Sequence, residues 1–302
     1  MITRRVAVAV ALGLGLAFAG VSLTKNFSSS DAPRDTVAAT ISQERRRIQL
    51  FWETYREATD HRVSGRIRQA AEAYERALSV NDSHEDALYY LGNAFFALAR
   101  FSDAQATWQR LLEVNPHSSR AHSRLGDLYF CFDPGAPFDL SAARAAFRRA
   151  LEINQEETGP LLHLGQVALL AGDTARARRH FDAVIGSNYR SVASHFLKGY
   201  MAWKAGARRE ASDLFAMAVR LKSPENPTAG VPGEGDTEKG SVAMVTANPT
   251  CHGLEAHIDN VSLVTEGDLG RQATEHYGRL DTFLADARSR LLGDGIARAV
   301  PR

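Results

Sequence analysis

Residues 85–118 read EDALYYLGNAFFALARFSDAQATWQRLLEVNPHS, and the same pattern returns in altered form along the chain. Glycines recur at intervals of 34, 39 and 34 residues, as Gly92, Gly126, Gly165 and Gly199. Alanines follow the same period at Ala70, Ala104, Ala143, Ala177 and Ala211. An aromatic residue comes four positions after each alanine: Tyr74, Trp108, Phe147, Phe181 and Phe215. A fixed period in this range is typical of a stacked array of helical repeats.

Each unit of this pattern predicts two antiparallel helices joined by a short turn. The glycine and the alanine allow two helix backbones to approach closely, and the aromatic ring fills the gap between neighbouring helices. One unit cannot bury its apolar face alone, so stability comes from the stacking of neighbours. The spacing predicts repeats at about 51–84, 85–118, 119–157, 158–191 and 192–225.

The pattern resembles the tetratricopeptide (TPR) repeat. Residues 85–118 match it best, through Leu91, Gly92, Phe95, Ala104, Trp108, Leu111 and Pro116. The resemblance implies an all-α fold, a right-handed solenoid of helix–turn–helix repeats within residues 36–225, and it says less about function. The third unit departs from the pattern by five extra residues within 132–139, which form either a neutral loop or a contact site.

In this family the first helices of the repeats line a concave groove that accepts a peptide or a helix. The resemblance therefore gives these candidates for binding a protein partner: Trp52, Tyr55, Tyr89, Asn93, Phe96, Asp127, Phe130, Leu162, Gln166, Leu169, Phe196, Tyr200 and Trp203. Aromatic side chains predominate among them, as they do at binding hot spots. The alternative is that the C-terminal helix of the same chain fills the groove. We expect it to occupy the C-terminal end and to leave Tyr89, Phe96 and Phe130 open.

The N-terminus predicts export. Two arginines precede an uncharged run from Val6 to Thr24, which is typical of a signal peptide or of one spanning helix. This segment, residues 1–24, is either retained as a membrane anchor or cleaved near Ala19, after a small-x-small pattern. In both cases the rest of the chain is expected on the periplasmic, extracytoplasmic side of the membrane. The polar residues 25–35 predict a flexible tether.

The region after the repeats is less regular. Residues 226–240 are rich in glycine, proline and acidic side chains, which predicts a flexible linker. Two short strands are predicted near 242–244 and 261–264 within the C-terminal region 241–302. An apolar stripe then predicts an amphipathic helix over about 266–292, which we expect to cap the open end of the solenoid.

Charge and motifs exclude several classes of function. The formal net charge of +1 argues against a nucleic-acid partner. The sequence has no nucleotide-binding loop or nucleophile motif, so neither catalysis nor a cofactor is expected. One group of metal-capable side chains lacks the spacing of zinc and haem sites; it comprises Cys251, His252, Glu255, His257 and Asp259.

We therefore expect a membrane-tethered or released scaffold that binds a protein or peptide in the cell envelope. Assistance in assembling another envelope protein is a role that the resemblance permits. One alternative is an enzyme or metal-binding protein with its site in residues 240–302 and the repeats as a targeting module. Self-association through the groove is a further alternative.

Overall fold

The computed structural model describes residues 32–222, 251, 254, 257–258 and 268–293. These residues contain eleven α-helices and no strand, which confirms the predicted all-α repeat architecture. The helices are α1 Ala32–Val63, α2 Ile67–Val80, α3 Glu85–Ala97, α4 Phe101–Val114, α5 Ser119–Tyr129, α6 Leu140–Ile153, α7 Thr158–Leu170, α8 Thr174–Ser187, α9 Val192–Lys204, α10 Arg208–Lys222 and α11 Leu269–Gly293.

Several sequence predictions lie outside the described residues. They are the export segment 1–24, the linker 226–240 and the two short strands. Among the helices that are described, none combines the length and the hydropathy that a membrane crossing requires.

The chain divides into two units, residues 1–45 and 46–302. The described part of the first unit is the beginning of α1, where side chains from residue 38 onward are exposed. Helix α1 begins at Ala32, three residues before the predicted end of the tether at residue 35. Pro33 does not prevent this start, since the amides of a first helical turn have no partner within the helix.

The second unit holds the repeats, and the turn between the two helices of a repeat has a residue with a positive φ at a fixed position. Gly65, Gly172 and Gly206 occupy the same position in three repeats, with φ of 71°, 82° and 80°. The equivalent residue of the second repeat is Ala99, whose φ of 56° is unusual for a side chain with a Cβ. The chain reverses direction at this position in each of these repeats, so the two helices lie antiparallel.

Close packing within a repeat depends on the periodic glycines. A Cβ at Gly126 would lie 2.5 Å from Cδ1 of Phe147, and one at Gly165 would lie 2.8 Å from Cδ1 of Phe181. Both rings are fully buried between the helices of their repeat. The predicted pairing of glycine and aromatic ring therefore exists as a contact.

Candidate protein-binding groove

First helices of successive repeats meet along one face. Arg124 of α5 donates a hydrogen bond of 3.3 Å from Nε to the Tyr89 hydroxyl on α3. Its guanidinium also lies 3.0 Å from Asp127, and Nδ1 of His163 on α7 lies 2.8 Å from the same carboxylate. Two of the predicted groove residues, Tyr89 and Asp127, are thus brought together by contacts that cross three repeats.

The carboxylate of Asp127 is held in its charged form. Burial alone would favour the neutral acid, but His163 and Arg124 together outweigh it through charge and hydrogen bonding. The pKa of Asp127 is therefore lowered from its ordinary value. This part of the groove presents charges of both signs on a fixed framework.

A second guanidinium group, besides that of Arg124, lies beside Tyr89. The Arg120 guanidinium lies 4.7 Å from the centre of the Tyr89 ring and donates a 2.7 Å hydrogen bond to Asp86. A ring flanked by guanidinium groups is fixed in orientation. Tyr89 itself remains half-buried, so one part of it faces solvent.

Aromatic side chains cluster where the groove begins, on α1. Trp52 packs edge-on against Tyr55 at 5.7 Å and against His84 at 5.7 Å between ring centres. Trp52 is nevertheless 49% exposed, while Tyr55 is half-buried. An indole that is half in water can contribute much area to an interface without unfolding the protein.

Asn93 lies one helical turn after Tyr89 and therefore on the same face of α3. Its Oδ1 atom is buried, and no residue in the described ranges donates a hydrogen bond to it. A buried acceptor without a donor is costly, so such groups usually have a partner. We name Trp52, Tyr55, Tyr89, Asn93 and Asp127 the open section of the groove.

Two predicted groove residues do not belong to this surface. Phe96 and Phe130 are 5% and 7% exposed, so the expectation that their rings are open is wrong. Phe96 packs against Phe101 and Trp108, and Phe130 packs against Phe132. The Phe96 ring turns into the gap between the two helices of its own repeat, and the Phe130 ring is buried beside the insertion; in both places burial of apolar area stabilises the fold.

The C-terminal end of the groove is filled by α11, as expected. Tyr277 packs between Phe196 and Phe215, with ring centres 5.2 and 5.7 Å away. The Tyr200 hydroxyl donates a 2.7 Å hydrogen bond to Asp281, and Lys204 Nζ lies 2.8 Å from the same carboxylate. Contacts with α11 thus bury Phe196 and Tyr200.

The remaining candidates lie on α7 and α9. Arg288 of α11 donates hydrogen bonds to the carbonyl oxygens of Leu169 and Leu170, at 2.6 and 2.9 Å. These carbonyls end α7 and have no partner within that helix. Leu169 and Gln166 are buried, whereas Leu162 and Trp203 are half-buried.

A disulfide joins Cys131 to Cys251 across 120 residues of sequence. Next to it, the insertion at 132–139 packs on α11, because Phe132 lies 5.4 Å from Phe283 and 4.6 Å from Phe138. No motif in the sequence predicted this bond. Two cysteines behind a predicted export signal were the available indication, since disulfides persist in oxidising compartments.

The disulfide also includes one member of the metal-capable cluster that the sequence contains. Cys251 is bonded to Cys131, and His257 packs against Phe283 at 5.0 Å. The other three members of the cluster lie outside the described residues. Asp133 is close to the two cysteines, but a disulfide sulfur is not the thiolate that metals prefer.

Comparisons with known proteins agree with the repeat pattern. Two family models of the tetratricopeptide repeat match the chain, over residues 64–128 and 162–226. None of the curated proteins compared with the chain matches it in sequence.

Three solved structures illustrate the similarity in fold. The structure of pilF of Pseudomonas aeruginosa has a TM-score of 0.53 and 14% identity, covering 78% of this chain and 98% of its own. MamA has a TM-score of 0.49 and 20% identity, with 58% and 92% covered. YrrB, described as a TPR protein with an unusual peptide-binding site, has a TM-score of 0.44 and 19% identity, with 58% and 88% covered. At such identities the likeness to pilF shows a shared fold and nothing about partners.

Proposed function

We propose, from the premise that this chain is a tetratricopeptide repeat protein, that it is an exported scaffold that binds a protein or peptide of the cell envelope. TPR repeats and TPR neighbours support a role in protein–protein interaction. The observation that carries the finer proposal is the division of the groove into two parts. Its C-terminal end is covered by α11, whereas Trp52 stays half-exposed and Asn93 Oδ1 has no donor within the described residues.

The open section offers complementary chemistry to an extended or helical segment. Trp52 and Tyr55 supply apolar area, and Asn93 adds a polar side chain whose buried Oδ1 atom has no donor within the described residues. Asp127 and the arginines around Tyr89 supply charges of both signs. A partner segment with an apolar anchor beside polar groups fits this surface best.

Export is supported by two independent features. The apolar run from Val6 to Thr24 is typical of an export signal, and the Cys131–Cys251 disulfide is typical of an oxidising compartment. We propose that the repeats act on the periplasmic side, anchored by residues 6–24 or released after cleavage near Ala19. A scaffold in that position can assist the assembly of another envelope protein.

The groove is tested by capture of partners from an envelope extract with the wild type and a Trp52→Ala, Tyr89→Ala double variant. Each substitution should cost about 1–3 kcal/mol of binding, which is roughly five- to 150-fold. Tyr189→Ala is a matched control, because this ring is 65% exposed and lies in the turn between α8 and α9.

We expect the control to retain the partner and the double variant to lose it, with equal melting temperatures. Identical sets of bound proteins would exclude the open section as the working surface. Capture of further copies of the chain itself would replace this proposal by self-association.

A further inference from the structure

The helix α11 is bound to the repeats as a separate ligand would be. In the second, third and fourth repeats, the ring next to the periodic glycine comes from the second helix of that repeat. At Gly199 the nearest ring is that of Tyr277, which comes from α11. Its hydroxyl also donates a 3.4 Å hydrogen bond to the carbonyl of Ala211. Tyr277 is fully buried and anchors α11 between α9 and α10.

Polar contacts repeat along the same face of α11. Asp281 follows Tyr277 by one turn and meets Tyr200 and Lys204. Arg288, two turns further on, reaches the end of α7. An aromatic anchor with a carboxylate one turn later is thus the pattern that this part of the groove recognises.

The disulfide shortens the connection between α11 and the repeats. Along the backbone, Leu269 is 47 residues from Lys222, but it is only 18 residues from Cys251. The effective concentration of a tethered group falls roughly as the −3/2 power of tether length, so the shorter route raises it about fourfold. The Cys131–Cys251 bond therefore makes α11 a stronger competitor for its own binding site.

We propose that the surface of Phe196, Gly199, Tyr200, Lys204 and Phe215, which we name the α11 seat, is a second protein-binding site with redox-controlled access. Its partner is an amphipathic helix of another protein that carries a tyrosine and, four residues later, an acidic side chain. Lys204 pairs with that carboxylate as it pairs with Asp281. The α11 seat is separate from the open section and goes beyond the function proposed above.

Easier access to the α11 seat follows reduction of the disulfide by a dithiol reductant, which is itself oxidised. Its thiolate attacks Sγ of Cys251, because Cys251 is partly exposed whereas Cys131 is buried. The S–S bond breaks and Cys131 leaves as a thiolate that takes up a proton. The second thiol of the reductant then displaces Cys251 and closes its own disulfide, so two electrons and two protons pass to the cysteines.

The test uses a fluorescent synthetic peptide with the sequence of residues 266–293 and the full chain. Binding is measured by anisotropy to the oxidised chain, to the chain reduced with dithiothreitol, and to a Cys131→Ser, Cys251→Ser variant. We expect the apparent Kd to fall about fourfold on reduction and to be equally low for the serine variant, on which dithiothreitol has no effect. A peptide carrying Tyr277→Ala should bind at least about tenfold more weakly.

Variants of the chain keep the test decisive. The chain with Tyr277→Ala has a weakened internal competitor and should bind the wild-type peptide at least about tenfold more tightly. Trp52→Ala should leave peptide affinity unchanged, which separates this proposal from the open section. Equal affinity before and after reduction, equal binding of both peptides, or no binding even to the Tyr277→Ala chain would overturn it. Circular dichroism confirms that each variant is folded.

Discussion

Replacing Gly126 with alanine should destabilise the repeat array, because an aromatic ring occupies the space of the added methyl group. The new Cβ would lie 2.5 Å from Cδ1 of Phe147, whereas ordinary contacts begin near 3.4 Å. Phe147 is fully buried, so its ring can move only if α5 and α6 separate or the neighbouring side chains repack. Interiors packed to crystal density do not absorb such shifts without cost.

Two opposing contributions set the change in the free energy of unfolding that Gly126→Ala causes. Overpacking costs about 1–3 kcal/mol, and the higher helix propensity of alanine returns roughly 0.5–1 kcal/mol. The net loss should be about 1–2 kcal/mol, which lowers Tm by about 2–8 °C for an array of this size. Thermal unfolding followed by far-UV circular dichroism measures it.

Gly186→Ala is the matched control for this measurement. Gly186 lies in α8, and a Cβ there would meet no atom within 4 Å. Only the propensity contribution remains, so this variant should be as stable as the wild type or more stable by up to about 1 kcal/mol. If the Gly126→Ala and Gly186→Ala variants were equally stable, the close approach of α5 to the Phe147 ring would not be the reason for a glycine at position 126.

Two further predictions concern strain and charge. Ala99→Gly should raise the free energy of unfolding by about 0.5–1 kcal/mol, because alanine is strained at a φ of 56°; lower stability in urea would show that the turn tolerates its Cβ. Asp127→Asn should be less stable than the wild type at pH 7. The pKa of Asp127 is lower in the folded protein than in the unfolded chain, so the carboxylate stabilises the fold above the unfolded pKa. This stabilisation is lost as the pH falls through the folded pKa. Urea unfolding at pH 7 and about pH 2 measures the difference, and a difference that persisted in acid would contradict the assignment.

The repeat architecture could be predicted because the contacts that build it recur in the sequence. Gly126 and Phe147 belong to one repeat, and residues at equivalent positions recur in the other repeats, so the periodic sequence indicates that they are in contact. Positions in the groove were predicted less well. Phe96 and Phe130 were transferred from the family pattern, which fixes the position of a residue and not the direction of its ring.

Long-range contacts were the hardest to foresee. No local pattern indicates that Cys131 meets Cys251, or that Phe132 of the insertion meets Phe283. Such pairs depend on where the C-terminal segment crosses the repeats, which is a tertiary property. The amphipathic stripe of α11 predicted burial, and the depth at which Tyr277 enters beside Gly199 followed only from the structure.

The Cys131–Cys251 bond gives the chain the covalent topology of a ring with two tails. The ring is residues 131–251; one tail carries α1 to α5 and the other carries α11. A single peptide-bond cut anywhere in the ring leaves both tails in one molecule, and this molecule would run as one band on a gel without reductant. Proteolysis between residues 131 and 251 therefore does not by itself separate α11 from α1, whereas one cut in either tail detaches everything beyond it.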